Sequence, residues 1–119
     1  MADDSSVVRE RLTTMLSEIE GIEIIGEARD GIEARDRILE LKPDVLVLDI
    51  RMPWRSGIDV LHDIKQHDPA IVVIVLTNYP YPQYRKQCME RGADFFFDKS
   101  TEFEKVPEVI TQLLRDSQR

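Results

Sequence analysis

Two runs in this chain, Val45-Leu46-Val47-Leu48 and Ile71-Val72-Val73-Ile74-Val75-Leu76, contain only aliphatic residues, most of them β-branched. A strand with one wet face alternates apolar and polar residues, so an unbroken apolar run of this length points to a strand covered on both faces, as in a parallel sheet between two layers of helices. The flanking segments have helical periodicity. Val8, Leu12, Met15, Leu16 and Ile19 come after Ser5 and Ser6, either of which can cap a helix over about residues 6–20. Ile22 to Ala28 shows the partial alternation of a half-exposed strand. Asp30-Gly31 then turns the chain into a helix marked by Ile32, Ala34, Ile38 and Leu41 and closed by Pro43. Ser56, with Asp59 three residues on, resembles a capping box ahead of Val60, Leu61 and Ile64.

After the second aliphatic run, Pro82 can open a helix at its first position and Gly92 can end it at C′. Phe95-Phe96-Phe97 reads as a last strand. Thr101 to Glu104 offers one capped turn, but Pro107 would break a helix begun there. The C-terminal helix is therefore expected from about residue 106, with Val109, Ile110, Leu113 and Leu114 as its buried stripe. Repeated strand–helix units imply right-handed crossovers and an open parallel sheet with helices on both faces, here with four strands and five helices. At 119 residues the chain is expected to be one domain over 1–119, with no output domain. Ligands of such sheets bind beyond the carboxyl ends of the strands. Asp49 and Thr77 end the two aliphatic runs and Lys99 closely follows the third strand, so these three side chains are expected to converge.

Charge and cysteine usage exclude several classes. Sixteen Lys and Arg against 23 Asp and Glu leave a net charge of −7, which repels a phosphate backbone and argues against direct nucleic-acid binding. No run approaches the roughly 18 apolar residues of a membrane span, and residues 1–11 lack the basic and apolar regions of a signal peptide, so a cytoplasmic location is expected. Cys88 is the only cysteine and reads as a small, partly buried helix residue. His62 and His67 have no metal-ligand spacing.

Taken singly, each polar residue has an ordinary explanation. Asp49 can be a turn aspartate, Thr77 a β-branched strand end and Lys99 a solvated charge, while Asp3-Asp4 can place favourable negative charge at a helix N-terminus. Together they make the chain resemble the receiver domain of two-component response regulators. The matching pieces are Asp3-Asp4 ahead of the first helix, PDVLVLDIRMP at 43–53 with Gly57 shortly after, VIVLT at 73–77, and GADFFFDKS at 92–100.

The resemblance implies a flavodoxin-like (CheY-like) open parallel sheet and a role for each matching residue. Asp49 would be the phosphoacceptor, taking a phosphoryl group from a histidine kinase or phosphotransfer protein. Asp4, Asp49 and the backbone carbonyl of Arg51 would hold Mg²⁺, with Asp3 acting partly through water. Thr77 would bind a phosphoryl oxygen, Lys99 would pair with the acidic pocket and then the phosphate, and Phe96 would be the aromatic switch residue. Such chemistry is positioning plus charge neutralisation around an in-line transfer. The added charge of about −1.5 to −2 can bias a two-state loop and pass a signal to a downstream protein target. The implied output face comprises residues 82–91, 95–97 and the C-terminal helix.

The sequence departs from this family at its start. Receivers begin with an apolar strand whose end carries the acidic pair, and here only Met1 and Ala2 precede Asp3. In the family's strand order, 2-1-3-4-5, that first strand is central. Its absence is expected to let Ile22–Ala28 slide against Val45–Leu48, to drive homodimerisation through exposed edges or exchanged elements, or to leave the chain poorly folded alone; dimerisation is the favoured outcome. Asp3 and Asp4 would then lose the element that aims them, weakening Mg²⁺ binding. This opens a second functional reading: a pseudo-receiver that acts as a dimerisation or protein-interaction module without phosphorylation. A hydrolase acting on external phosphoesters is disfavoured by the absence of an Asp-x-Asp pair and a Walker-type loop. Arg51, Tyr79 and Trp54 flank the acceptor and are candidates for controlling access to it.

Overall fold

The computed structural model describes residues 1–52 and 56–117. Helices α1 (Ser6–Ser17) and α2 (Gly31–Leu41) precede strand β1 (Val45–Leu48). Helix α3 (Gly57–His67), strand β2 (Val72–Thr77), helix α4 (Pro82–Glu90), strand β3 (Phe95–Asp98) and helix α5 (Lys105–Ser117) complete the order. The expected caps are present. The side chains of Ser5, Asp30 and Ser56 accept from the backbone N–H groups of Val8, Glu33 and Ile58, Pro82 opens α4, and Gly92 comes just after its cap with φ +99°. Helix α1 stops at Ser17 instead of running to about 20, and the chain turns through Gly21 at φ +92°.

The strands form a parallel sheet in the order β1-β2-β3, with Val45 opposite Val72 and Ile74 opposite Phe95. Alternate strand residues face opposite sides and divide the interior in two. Leu46, Leu48, Val73, Val75 and Phe96 pack with Ala34, Ile38, Val60, Leu61, Ile64 and Cys88, so α2, α3 and α4 cover one face. Val47, Ile74 and Leu76 pack with Leu12, Leu16, Val106 and Ile110, so α1 and α5 cover the other. This is the open, doubly covered sheet expected of the aliphatic runs, and burying each Val, Leu or Ile in it is worth about 1.5–3 kcal/mol relative to exposure.

The strand count is a correction: among the described residues three strands are formed, not four. Ile22 to Ala28 keeps the burial alternation of a strand but joins no ladder among the described residues. Only its last residue is paired. Ala2 lies between Ala28 and Leu48 and bridges both in parallel. The Ala2 N–H donates to the Val47 carbonyl at 2.8 Å, and the Ala2 carbonyl accepts from Asp49 at 2.9 Å. On the other side, Ala28 donates to Met1 at 2.8 Å and accepts from Asp3 at 2.9 Å. Residues 1–3 thus supply the final rung of a central strand. Direct pairing of Ile22–Ala28 with Val45–Leu48, one of the three outcomes set out for the short start, does not form among the described residues. Between those segments lies a cleft of about 800 Å³.

Candidate functional site

Every residue of the site sits where an apolar element runs out at the carboxyl edge of the sheet. Asp49 comes after β1, Thr77 ends β2, Lys99 comes after β3, and Asp3 comes after the Ala2 bridge. All four are buried, with exposures of 5%, 0%, 9% and 3%. Charge held this deep requires partners. The Lys99 Nζ lies 2.6 Å from Asp3 Oδ2 and 3.1 Å from Asp49 Oδ2. The other Asp49 oxygen, Oδ1, accepts from the Arg51 N–H at 3.3 Å. Asp4 is exposed, yet one carboxylate oxygen from each of Asp3, Asp4 and Asp49 lies within 4.8 Å of the others.

The loss of aim expected for the acidic pair is therefore corrected. One rung of pairing suffices to point Asp3 inward, and the Ser5 N–H donating to Asp3 Oδ1 at 2.9 Å fixes its side chain. Arg9 contributes as well: its guanidinium donates to the Asp3 carbonyl at 2.6 Å and lies 3.6 Å from Glu27. Nothing in its place on the first helix singled Arg9 out in the sequence.

Burial raises the Asp49 carboxyl above the ordinary carboxylate value. Lys99 opposes that rise and the Asp3 charge adds to it. For Lys99, burial alone would lower the ammonium, but the hydrogen bond to Asp3 and the charges of Asp49 and Asp3 carry it above the usual lysine value. Three carboxylates against one ammonium leave two negative charges in a compact set of hard oxygens. That donor set suits a small dication such as Mg²⁺.

Thr77 stands on the adjoining strand, and its carbonyl accepts from the Lys99 N–H at 2.9 Å. Its hydroxyl oxygen accepts from the Tyr79 N–H at 2.9 Å, fixing the side chain at the rim. Phe96 is buried one strand over, opposite Val75, with the Arg85 guanidinium 5.7 Å from its ring centre. The Arg51 guanidinium lies 4.5 Å from the Tyr79 ring centre, a contact not foreseen from the sequence. Trp54, expected beside the acceptor, and Pro53, which closes the DIRMP motif, fall outside the described residues.

The chain is similar to known proteins over most of its length. The response regulator receiver domain model matches residues 1–111. An uncharacterized response regulatory protein of Vibrio cholerae is 36% identical over 119 residues, covering 100% of this chain and 49% of its own length. The response regulator GacA of Pseudomonas aeruginosa is 31% identical over 113 residues, covering 95% and 53% respectively. Among solved structures, the response regulator domain of Thermotoga maritima CheB superposes with a TM-score of 0.83 at 30% identity, over 97% of this chain and 90% of that one. A chain of the CheX-CheY-BeF3-Mg+2 complex from Borrelia burgdorferi gives 0.85 at 32% identity, over 95% of this chain and 85% of that one.

The chain belongs to the response regulator receiver domain family, with the CheY-like fold and a place in two-component signalling. It spans about half the length of these two curated relatives.

Proposed function

We propose that this chain is a receiver that accepts a phosphoryl group on Asp49 from a histidine kinase or phosphotransfer protein in the cytoplasm. The observation that carries the reading is the buried Asp49 carboxylate, ion-paired to Lys99 and grouped with Asp3 and Asp4. An Asp49 oxygen attacks phosphorus in line while the bond from phosphorus to the donor breaks, leaving an acyl phosphate on Asp49. Lys99 stays within reach of the incoming charge, and the Thr77 hydroxyl can donate to a phosphoryl oxygen. Asp4, Asp49 and the Arg51 carbonyl are the residues that would hold Mg²⁺, with Asp3 assisting through water. When bound, the ion neutralises charge on the transferring group. The new acceptors would draw Thr77 and Lys99, and through Phe96 alter the face formed by α4, β3 and α5, where a downstream protein would read the change.

The test is incubation with acetyl phosphate and Mg²⁺, then intact-mass measurement of the native chain and Asp49→Asn. A gain of one phosphoryl group on the native chain alone is the expected result. No gain in a chain shown to be folded would favour an interaction module that works without phosphorylation.

A further inference from the structure

Asp4 is the member of the acidic group whose side chain no protein donor sets. Asp3 is held by Lys99 and the Ser5 N–H, and Asp49 by Lys99 and the Arg51 N–H, whereas Asp4 is exposed and its carboxylate has no partner among the described residues. Even so, one of its oxygens lies within 4.8 Å of oxygens from both of the others. Like charges do not gather of their own accord. The aim of Asp4 therefore comes from the backbone that carries it.

Two peptide groups flank the Asp4 Cα, and both are held from outside. After it, the Ser5 N–H donates to Asp3 Oδ1 at 2.9 Å, and the Ser5 side chain caps α1. Before it, the Asp3 carbonyl accepts from Arg9 Nη1 at 2.6 Å. The Asp3 N–H goes to the Ala28 carbonyl at 2.9 Å, so a continued ladder would draw the next donor from the chain just beyond Ala28. There Asp30 turns away to cap α2, and no backbone N–H among the described residues donates to the Asp3 carbonyl. Arg9, in the first turn of α1, stands in for that donor. Its guanidinium presents several N–H groups in a rigid fork, so its Nε also lies 3.6 Å from Glu27 Oε1, and only 18% of the side chain is exposed.

We infer that Arg9 is a positioning residue for the Mg²⁺ site: by holding the peptide group between Asp3 and Asp4 it fixes the direction in which Asp4 projects, while Glu27 steadies the guanidinium. The inference rests on the reading of Asp3, Asp4 and Asp49 as that site, and it gives α1 a share in setting cation affinity. Arg9 does this against its own charge. A fixed cation beside the acidic group repels a dication, so charge alone predicts tighter Mg²⁺ binding once Arg9 is neutralised, whereas positioning predicts weaker binding.

Mg²⁺ is titrated into the full chain and followed by amide NMR shifts, which report affinity and folding together. Arg9→Lys keeps the charge and loses the fork. It should weaken binding about three- to tenfold, less than the 10–100-fold typical of groups that touch a ligand side chain, because Arg9 acts on the backbone behind Asp4. Arg9→Met should also weaken binding despite the lost repulsion, and if that variant does not fold, Arg9→Lys decides. In an Asp4→Asn background, Arg9→Lys should leave the remaining affinity unchanged, since the group it aims is gone; a general loosening of the fold would lower affinity in both backgrounds. Unchanged affinity in Arg9→Lys, tighter binding in Arg9→Met, or an equal loss with and without the Asp4 carboxylate would each overturn the proposal and leave the Mg²⁺ site standing. A folded native chain that binds no Mg²⁺ would overturn both.

Discussion

Lys99 reaches across the end of the sheet to place its ammonium 3.1 Å from the Asp49 carboxylate, joining residues 50 positions apart in the chain. The same ammonium holds Asp3 at 2.6 Å. Lys99→Met would leave two buried carboxylates facing each other without a counter-charge, and breaking a buried pair from one side costs about 3–5 kcal/mol. Urea unfolding of this variant should show a loss of that order, and Mg²⁺ should restore part of it by supplying positive charge.

Stability should depend on pH through Asp49 in an unusual direction. Its carboxyl is raised by burial, so the folded state binds this proton more tightly than the unfolded state does. Between the ordinary carboxylate value of 3.8 and the raised one, its contribution to stability falls as pH rises. Asp49→Asn should therefore be more stable than the native chain at neutral pH, with the difference closing as pH drops below the ordinary value. Denaturation midpoints of the two proteins at several pH values check this, and a native chain more stable than the variant at pH 7 would refute it.

Phosphorylated Asp49 should lose its phosphate faster when Tyr79 is removed. The Arg51–Tyr79 contact lies beside the acceptor, and an exposed cation–π pair is worth about 0.5–1 kcal/mol, a two- to fivefold change in the population of its closed form. Tyr79→Ala should shorten the lifetime of the adduct by that factor, as tracked by the decay of the phosphorylated mass. Tyr79→Phe should keep the native lifetime.

Cys88 is fully buried in α4, and burial pushes its thiol up to about 11. Iodoacetamide at pH 8 should label the folded chain far more slowly than the urea-unfolded chain.

Gly57 opens α3 directly against the end of β1. A Cβ built there would lie 2.0 Å from the Asp49 carbonyl oxygen and 2.6 Å from the Ile50 Cα, both backbone atoms. Gly57→Ala should cost at least about 2 kcal/mol by displacing α3, within the upper range for single substitutions, and calorimetric melting would measure it.

Much of the site was legible in the sequence because the chemistry falls where apolar runs stop. Asp49 and Thr77 are the first polar residues after VLVL and IVVIVL, and a parallel sheet must bring such ends together. The segment Ile22–Ala28 has the composition and alternation of a strand, yet a ladder needs a partner, and whether one stands beside it is not a local property. Ala2 was missed for the opposite reason. A single residue carries no periodicity, although one bridging residue with neighbours on both sides is enough to orient the acidic pair next to it. Arg9 and the Arg51–Tyr79 contact depend on where long side chains fold back, which spacing does not reveal.

The Ala2 carbonyl and the Asp3 N–H belong to one peptide group, and that group is planar and stiff. Its oxygen receives Asp49 and its nitrogen gives to Ala28, so a single rigid plate spans both flanks of the gap. Asp3 is part of that plate and Asp49 is hydrogen-bonded to it, so both acidic residues are referred to one peptide group. Thermal agitation that loosens the apolar cleft behind the plate should tilt both acidic residues together as the plate rocks.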